Sequence, residues 1–131
     1  MVAPGRRKAK GSTFERELVH KLWTAGWGAI RIAGSGSIGE LAPDVLAGRP
    51  GRWIAIEAKA TLDTRKYFTK QEVDGLITFS QAFGAEPWLA VKFSRRGTFF
   101  ISANHADRTE KSVVVVLGDP RLFTFEELLK E

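Results

Sequence analysis

Cysteine is absent from this chain of 131 residues, and histidine occurs only twice. Without cysteine there can be no disulfide bond and no thiolate metal site, which fits an intracellular protein. The two histidines, His20 and His105, are too few and too far apart in the sequence for a histidine-based metal centre. A metal site would therefore be built from carboxylates, which favours magnesium or manganese over zinc.

Long apolar runs are missing as well. No segment approaches the roughly 20 consecutive apolar residues of a membrane-spanning helix, and no apolar segment follows the basic start of the chain as it would in a secretory signal. We therefore expect a cytoplasmic protein with no membrane partner. The length is that of one domain, and the 44% of apolar residues suffice to form a core.

Acidic residues are outnumbered, because 20 Lys and Arg stand against 15 Asp and Glu, for a net charge of +5. This excess suits a polyanionic partner, most often nucleic acid, although many domains are mildly basic. We interpret residues 1–11 as a flexible basic arm that can lie on phosphates, ahead of a single domain at residues 12–131. A disordered solubilising terminus is the alternative. The cations of the arm are Arg6, Arg7, Lys8 and Lys10.

A first helix is predicted at residues 13–25. Ser12 and Glu15 have the spacing of a capping box, and apolar residues at helical spacing form one stripe along the helix. Glu15 points in the direction of this stripe, so it faces the protein body. Because buried acids seldom go unpaired, we assign Glu15 a functional role, with the capping box as the alternative.

A loop rich in glycine and serine follows a short predicted strand at residues 28–33. Residues 34–39 match the pattern G-x-G-x-x-G, but Pro43 arrives too soon for the helix that a dinucleotide site requires. We therefore expect no nucleotide cofactor. The hydroxyls of the loop, on Ser35 and Ser37, and its free amides can approach a phosphate closely.

Two apolar runs joined by a turn at residues 48–52 form the central feature of the sequence. Asp44 opens the first run, and Glu57 and Lys59 end the second, where the alternation of a strand puts them on the same face. If the runs pair as a hairpin, Asp44 lies beside Glu57. Two carboxylates and an ammonium group at one sheet edge can hold a divalent cation and act on the water that it activates.

Each of these residues also has an ordinary structural explanation. Asp44 can be turn chemistry, and Glu57 with Lys59 can be a same-face ion pair. Jointly these explanations weaken, because Glu57 lies within an apolar run where an unpaired charge is costly. With Glu15 as a third acid and the Ala58 carbonyl as a further oxygen ligand, the set suits phosphodiester hydrolysis. Lys59 would orient or deprotonate the nucleophile, or stabilise developing negative charge.

The second half of the chain is predicted to complete an α/β domain. A polar loop at residues 61–67 carries the cations Arg65 and Lys66, and Thr69 with Glu72 forms a second capping box. A helix between the third and fourth strands implies a crossover, so we expect a central mixed sheet flanked by helices. The elements expected here are a helix at residues 70–83, strands at residues 87–93, 98–102 and 113–117, and a terminal helix after residue 124.

Four segments in order and spacing resemble the Hjc family of archaeal-type Holliday junction resolvases, within the PD-(D/E)xK nuclease superfamily. They are residues 11–18, 31–37, 43–47 and 56–59, and the resemblance is good over residues 6–93. It implies a restriction-endonuclease-like core and a homodimer that nicks four-way DNA junctions symmetrically with Mg²⁺, for which Mn²⁺ would substitute. It also implies a nucleoid-associated protein. The resemblance assigns catalysis to Glu15, Ser35, Asp44, Glu57 and Lys59, and metal binding to Glu15, Asp44, Glu57 and the Ala58 carbonyl.

The resemblance also matches Arg16 and Arg31 to family arginines associated with DNA. Two alternatives stay open: another nuclease of the superfamily, acting on duplex or branched DNA, and a non-catalytic DNA-binding module. Two matched cuts need two active sites related by a two-fold axis, which agrees with a dimer. Residues 113–117, Phe123 and Phe125 are candidate interface residues, with the core as the alternative. The expected DNA contacts are Arg6, Arg7, Lys8, Lys10, Arg16, Arg31, Ser35, Ser37, Arg65 and Lys66.

Overall fold

The computed structural model describes residues 4–35 and 39–130, with side chains from residue 11 onward. These residues form three helices and eight strands. In chain order they are α1 (Pro4–Thr24), β1 (Gly28–Arg31), β2 (Val45–Arg49), β3 (Arg52–Thr61), β4 (Arg65–Thr69), α2 (Lys70–Phe83), β5 (Glu86–Phe93), β6 (Gly97–Ser102), β7 (Asp107–Arg108), β8 (Ser112–Val116) and α3 (Phe125–Lys130). No helix in this part of the chain is long and apolar enough to cross a membrane.

A five-stranded sheet with the order β1-β2-β3-β5-β6 forms the centre of the described structure. Strands β3 and β5 run parallel, and the other neighbours in this sheet are antiparallel. Helix α2 lies in the connection between the two parallel strands, as a crossover requires. The predicted mixed sheet is therefore confirmed.

A second, three-stranded sheet with the order β4-β8-β7 was not predicted. The segment expected to be a polar loop at residues 61–67 instead enters β4, which pairs with β8 so that Phe68 lies opposite Val113. Both side chains are fully buried, and this packing outweighs the polar character of the residues before them. Arg65 and Lys66 therefore lie on a strand.

Apolar side chains cover both faces of the five-stranded sheet. One cluster joins α1 and α3 to the sheet, for example through Leu18, Ile56 and Leu128. The other joins α2 and the second sheet to the opposite face, for example through Leu76 and Leu89. Alternate residues of β3 enter the two clusters, so the strand that carries Glu57 and Lys59 is anchored from both sides.

Helix α1 begins at Pro4, and the predicted start near Thr13 is wrong. Proline is well suited to the first helical position, since its fixed φ angle matches the helix. Ser12 consequently lies inside the helix and cannot cap its start. The division of the chain into a flexible arm and a domain at residue 11 stays a prediction.

Some of the apolar residues near the C-terminus belong to the core. Val113 and Val115 on β8 and Phe125 on α3 are buried, so these three side chains are not available to a second subunit and the interpretation of them as interface residues is wrong. The other candidates, Val114, Val116, Leu117 and Phe123, are half-buried, and their place in an interface stays a prediction. Alternate residues of β8 are buried, as in a strand that packs one face on the core.

The capping box predicted for α2 is present, and α3 begins with a second one. The Thr69 side chain accepts a hydrogen bond from the Glu72 amide, and the Glu72 side chain accepts one from the Thr69 amide. Thr124 and Glu127 make the same pair of contacts at α3. Helix α2 ends at Gly84, whose φ of 91° is left-handed and favours glycine.

Candidate active site

Asp44 lies directly before β2, at the end of the hairpin that β2 forms with β3. Val45 is paired with Ile56, and the Asp44 amide donates to the Ile56 carbonyl oxygen at 3.0 Å. One step further along this register, Asp44 comes beside Glu57, as the hairpin prediction required. Asp44 is only 9% exposed, so its charge is held away from bulk water.

Both carboxylate oxygens of Asp44 accept hydrogen bonds. The Ser35 hydroxyl donates to Oδ1 at 2.8 Å, and the Ala58 amide donates to Oδ2 at 2.9 Å. The first contact fixes the glycine-rich loop to the hairpin. The second fixes Asp44 to the residue that separates Glu57 from Lys59. Asp44 therefore connects the glycine-rich loop, through Ser35, to the strand that carries Glu57 and Lys59.

Glu57 is the most perturbed acid of the site. Burial raises its pKa to about 9, helped by the charge of Asp44, a side-chain hydrogen bond with Asp44 and the charge of Glu72; Lys59 offsets part of this. The raised pKa favours the protonated form of the Glu57 carboxyl at neutral pH as long as no cation neutralises the adjacent acids.

Glu15 faces the protein body, as predicted, and its side chain is 15% exposed. Burial and the charge of Asp44 raise its pKa, while the nearby Arg31 guanidinium opposes the increase. Arg31 Nε donates to Glu15 Oε1 at 2.9 Å, and Arg31 Nη2 donates to Ser12 Oγ at 2.8 Å. The two residues that were expected to form a capping box thus bind an arginine of β1 together.

Lys59 is held by residues at the junction of β4 and α2. Its Nζ lies 3.0 Å from Glu72 Oε2 and 5.5 Å from the centre of the Phe68 ring. Burial alone would raise the pKa of Glu72, but hydrogen bonds from Thr69 and Lys59 lower it below its ordinary value. Sequence reasoning identified Glu72 only as a cap, since a capping box does not reveal a third partner across the fold.

The carboxylates do not all converge on one point. Across residues 4–35 and 39–130, no group of three or more His, Cys, Asp or Glu residues is close enough to hold a metal ion. Glu15 is bound to Arg31, which leaves Asp44 and Glu57 as the adjacent pair. Two hard oxygen donors with excess negative charge fit a divalent cation such as Mg²⁺, which often keeps waters beside one or two carboxylates.

The predicted DNA contacts differ in how exposed they are. Arg16 and Arg65 are exposed, Lys66 is half-buried, and Arg31 is turned inward to Glu15. Ser37 lies outside the described residues, as do the side chains of Arg6, Arg7, Lys8 and Lys10. An open groove of about 620 Å³ runs past Phe14 and Ala60, the sequence neighbours of Glu15 and Lys59. Lys66 and Lys92 line this groove as well.

A mixed sheet flanked by helices, with an acid pair and a lysine at the ends of β2 and β3, is the arrangement of a restriction-endonuclease-like nuclease. Comparison with known proteins agrees with this class. The chain belongs to the archaeal Holliday junction resolvase (Hjc) family, whose sequence model matches residues 6–130. The predicted family is therefore confirmed, and with it the prediction of a junction-resolving endonuclease at the level of the family.

Individual relatives show how far the similarity extends. The crossover junction endodeoxyribonuclease Hjc of Archaeoglobus fulgidus is 42% identical over 105 residues, which cover 80% of this chain and 77% of that protein. The protein of the same name from Methanocaldococcus jannaschii is 42% identical over 85 residues, 65% of this chain and 60% of the relative.

A solved structure gives the same result for the fold. The structure of Archaeoglobus fulgidus Hjc, a Holliday junction resolvase from an archaeal hyperthermophile, matches this chain with a TM-score of 0.76 and 39% identity. The match covers 81% of this chain and 88% of that one. The predicted restriction-endonuclease-like core is confirmed.

Proposed function

We propose that this chain is a metal-dependent endodeoxyribonuclease that resolves four-way DNA junctions. The observation that carries the proposal is the adjacent pair of Asp44, which is 9% exposed, and half-buried Glu57, on the same strand as Lys59. Such a pair is costly in a protein that only binds DNA, because clustered acids repel the phosphate backbone. The membership in the Hjc family supports the junction as substrate.

Asp44 and Glu57 would hold the cation, with the Ala58 carbonyl as a further oxygen ligand and Glu15 at the edge of the set. We propose Mg²⁺ as the natural ion and Mn²⁺ as a substitute, since both accept carboxylate oxygens. When bound, the cation lowers the pKa of water and offsets charge on the scissile phosphate. Its binding would also displace the proton that the raised pKa of Glu57 favours.

The other residues of the site hold these groups in place and supply a positive charge. Ser35 donates to Asp44 and so fixes the orientation of its carboxylate. Lys59 places an ammonium group within the electrostatic reach of Glu57, where it can stabilise developing negative charge or orient the nucleophile. Arg31 neutralises Glu15 and thereby limits repulsion of the phosphate.

The DNA contacts and the oligomeric state complete the proposal. The net charge of +5 and the exposed cations Arg16 and Arg65 suit a branched DNA backbone, and Lys66 adds a positive charge to the groove. Two cuts at symmetric positions require two copies of the site, so we propose a homodimer. This role would place the protein with the chromosomal DNA, in the nucleoid of the cell.

Cleavage of a synthetic four-way junction tests the proposal directly. The junction and a linear duplex of the same sequence are incubated with the protein, with Mg²⁺ or with a chelator. We expect paired nicks in the junction, little cutting of the duplex and no cutting in chelator. Equal rates on both DNAs would identify a nuclease without junction selectivity, and no metal-dependent cutting of either would contradict the proposed activity.

A further inference from the structure

The ammonium group of Lys59 is held by a part of the fold that carries none of the acids assigned to the cation. Lys59 extends from β3, but its contacts come from the end of β4 and the first turn of α2. Glu72 Oε2 lies 3.0 Å from Lys59 Nζ, and the Phe68 ring lies 5.5 Å from it. A long lysine side chain is thus restricted by a carboxylate and an aromatic face together.

Glu72 is itself fixed by the capping box at the start of α2. Its Oε1 accepts a hydrogen bond from the Thr69 amide at 2.8 Å, while its own amide donates to Thr69 Oγ1 at 3.0 Å. The carboxylate therefore uses one oxygen for the helix and the other for Lys59. A lysine has many rotamers in solution, so a partner with a fixed position limits where its ammonium group can lie.

A second box in the same chain shows that capping does not require such a partner. Glu127 Oε1 accepts from the Thr124 amide at 2.8 Å, and the Glu127 amide donates to Thr124 Oγ1 at 3.2 Å. This box begins α3, which packs with α1 on the sheet face opposite to α2. Glu72 and Glu127 cap their helices with the same pair of hydrogen bonds, and Glu72 also forms an ion pair with Lys59.

We propose that Glu72 is a positioning residue that orients the Lys59 ammonium group for phosphodiester cleavage. The inference rests on the proposed nuclease function, since it concerns the role of Lys59 in that reaction. Lys59 and Glu72 are 29% and 31% exposed, and ion pairs with this much solvent contribute little to stability. Loss of the pair should therefore affect cleavage more than folding.

The substitution Glu72→Gln separates positioning from capping. Glutamine keeps the length of the side chain and an oxygen for the Thr69 amide, but it removes the negative charge that faces Lys59. We expect single-turnover junction cleavage to slow about 10-fold, and about 100-fold for Glu72→Ala, which frees the lysine entirely. Junction affinity should stay within about 3-fold, because the substitutions remove no cation from the DNA-binding surface.

Glu127→Gln and Glu127→Ala are the matched controls. They weaken the corresponding box at α3 by the same chemistry, so a comparable change in Tm is expected while cleavage stays at the wild-type rate. If the Glu72 variants lose cleavage only in proportion to a loss of Tm and junction affinity, Glu72 is a helix cap and the inference is overturned.

Two further measurements distinguish failure of the inference from failure of the proposed function. In a Lys59→Ala background, Glu72→Gln should cause no additional loss of cleavage, because the group that it positions is gone. In the metal-free protein without DNA, the NMR signal of the Lys59 ε-methylene should shift in Glu72→Gln and stay unchanged in Glu127→Gln. Wild-type cleavage that needs Lys59 but tolerates Glu72→Gln would overturn the positioning role alone. Absence of wild-type cleavage would overturn both.

Discussion

The charged residues of the candidate site differ in whether a partner of opposite charge neutralises them. Glu15 and Lys59 each face a group of opposite charge, Arg31 at 2.9 Å and Glu72 at 3.0 Å. Asp44 and Glu57 face each other instead. Their described side-chain hydrogen bonds are with Ser35, the Ala58 amide and one another, and the charge of Lys59 offsets only part of the repulsion at Glu57.

This difference indicates which carboxylates would be stabilised most by a bound cation. Arg31 already compensates the charge of Glu15, and Lys59 that of Glu72. A cation added there would therefore compete with Arg31 or Lys59 for the same carboxylate. Asp44 and Glu57 lie beside each other, and burial and the charge of Asp44 raise the pKa of Glu57 and so favour its protonated form. A divalent ion that displaces this proton would compensate the charge of both carboxylates.

Removal of a charge from the acid pair should have the largest effect. We expect Asp44→Asn to slow junction cleavage at least about 1,000-fold, because the cation loses an anionic ligand. The asparagine oxygen can still accept from the Ala58 amide, and its NH2 group can donate to the Ser35 hydroxyl oxygen. Junction binding should be unchanged or tighter, since one negative charge near the phosphates disappears. Gel-shift and single-turnover assays measure the two effects separately.

The matched control for this variant is Asp63→Asn, at an exposed position just beyond the end of β3. It removes the same charge from the groove that runs past Phe14 and Ala60, away from the acid pair, and should cleave at the wild-type rate. If Asp44→Asn cleaves as fast as Asp63→Asn, the acid pair is not the cation site.

The raised pKa of Glu57 predicts a contribution to the pH dependence of stability that Glu57→Gln should remove. The pKa of Glu57 is about 9 in the folded protein and 4.5 in an ordinary setting, so between these values the folded state holds a proton that the unfolded state has released. Stability of the wild type should therefore fall as the pH rises from about 4.5 to about 9. Glutamine does not titrate, so the Tm of Glu57→Gln should exceed that of the wild type by a margin that grows with pH.

Thermal unfolding in chelator at pH 5, 7 and 9 measures this margin. Glu126→Gln, at an exposed position on α3, provides the same substitution without burial and should leave the pH dependence of the wild type unchanged. Parallel Tm curves for the wild type and Glu57→Gln would show that the carboxyl is ionised in the folded protein.

Loss of the loop contact should have the smallest effect. Ser35→Ala removes one hydrogen bond to Asp44 Oδ1, worth about 1 kcal/mol, so we expect cleavage to slow about 5-fold with little change in junction affinity. Ser94→Ala removes a half-buried hydroxyl from the groove and serves as the control. A loss of affinity equal to the loss of rate would indicate that Ser35 binds DNA rather than Asp44.

Local patterns in the sequence predicted the central parts of the fold. The apolar stripe of α1, the hairpin of β2 and β3, and the capping box of α2 depend on neighbouring residues, and the structure contains all three. The short strands of the second sheet depend on distant pairing, such as Phe68 with Val113, and no local pattern reports this. The capping role predicted for Ser12 is wrong for a related reason, because its side chain binds Arg31 on β1, which is distant in the sequence.

In the candidate site as well, contacts between residues close in sequence could be predicted and contacts between distant elements could not. Alternation along a strand and the turn between two strands suffice to bring Asp44, Glu57 and Lys59 to one edge, so this part could be predicted. The contacts between Glu15 and Arg31 and between Lys59 and Glu72 join elements that are separate in sequence. These pairings decide which carboxylates are already neutralised, and only the folded structure reveals them.

Binding of Mn²⁺ to the DNA-free protein tests the central claim most directly. Calorimetric titration at pH 7 in two buffers with different ionisation enthalpies reports both the affinity and the protons released. The account predicts that the wild type releases a proton on binding and that Asp44→Asn and Glu57→Gln both lose binding, whereas Asp63→Asn binds as the wild type does. Binding that survives in Asp44→Asn and Glu57→Gln, or that occurs without proton release in the wild type, would contradict it.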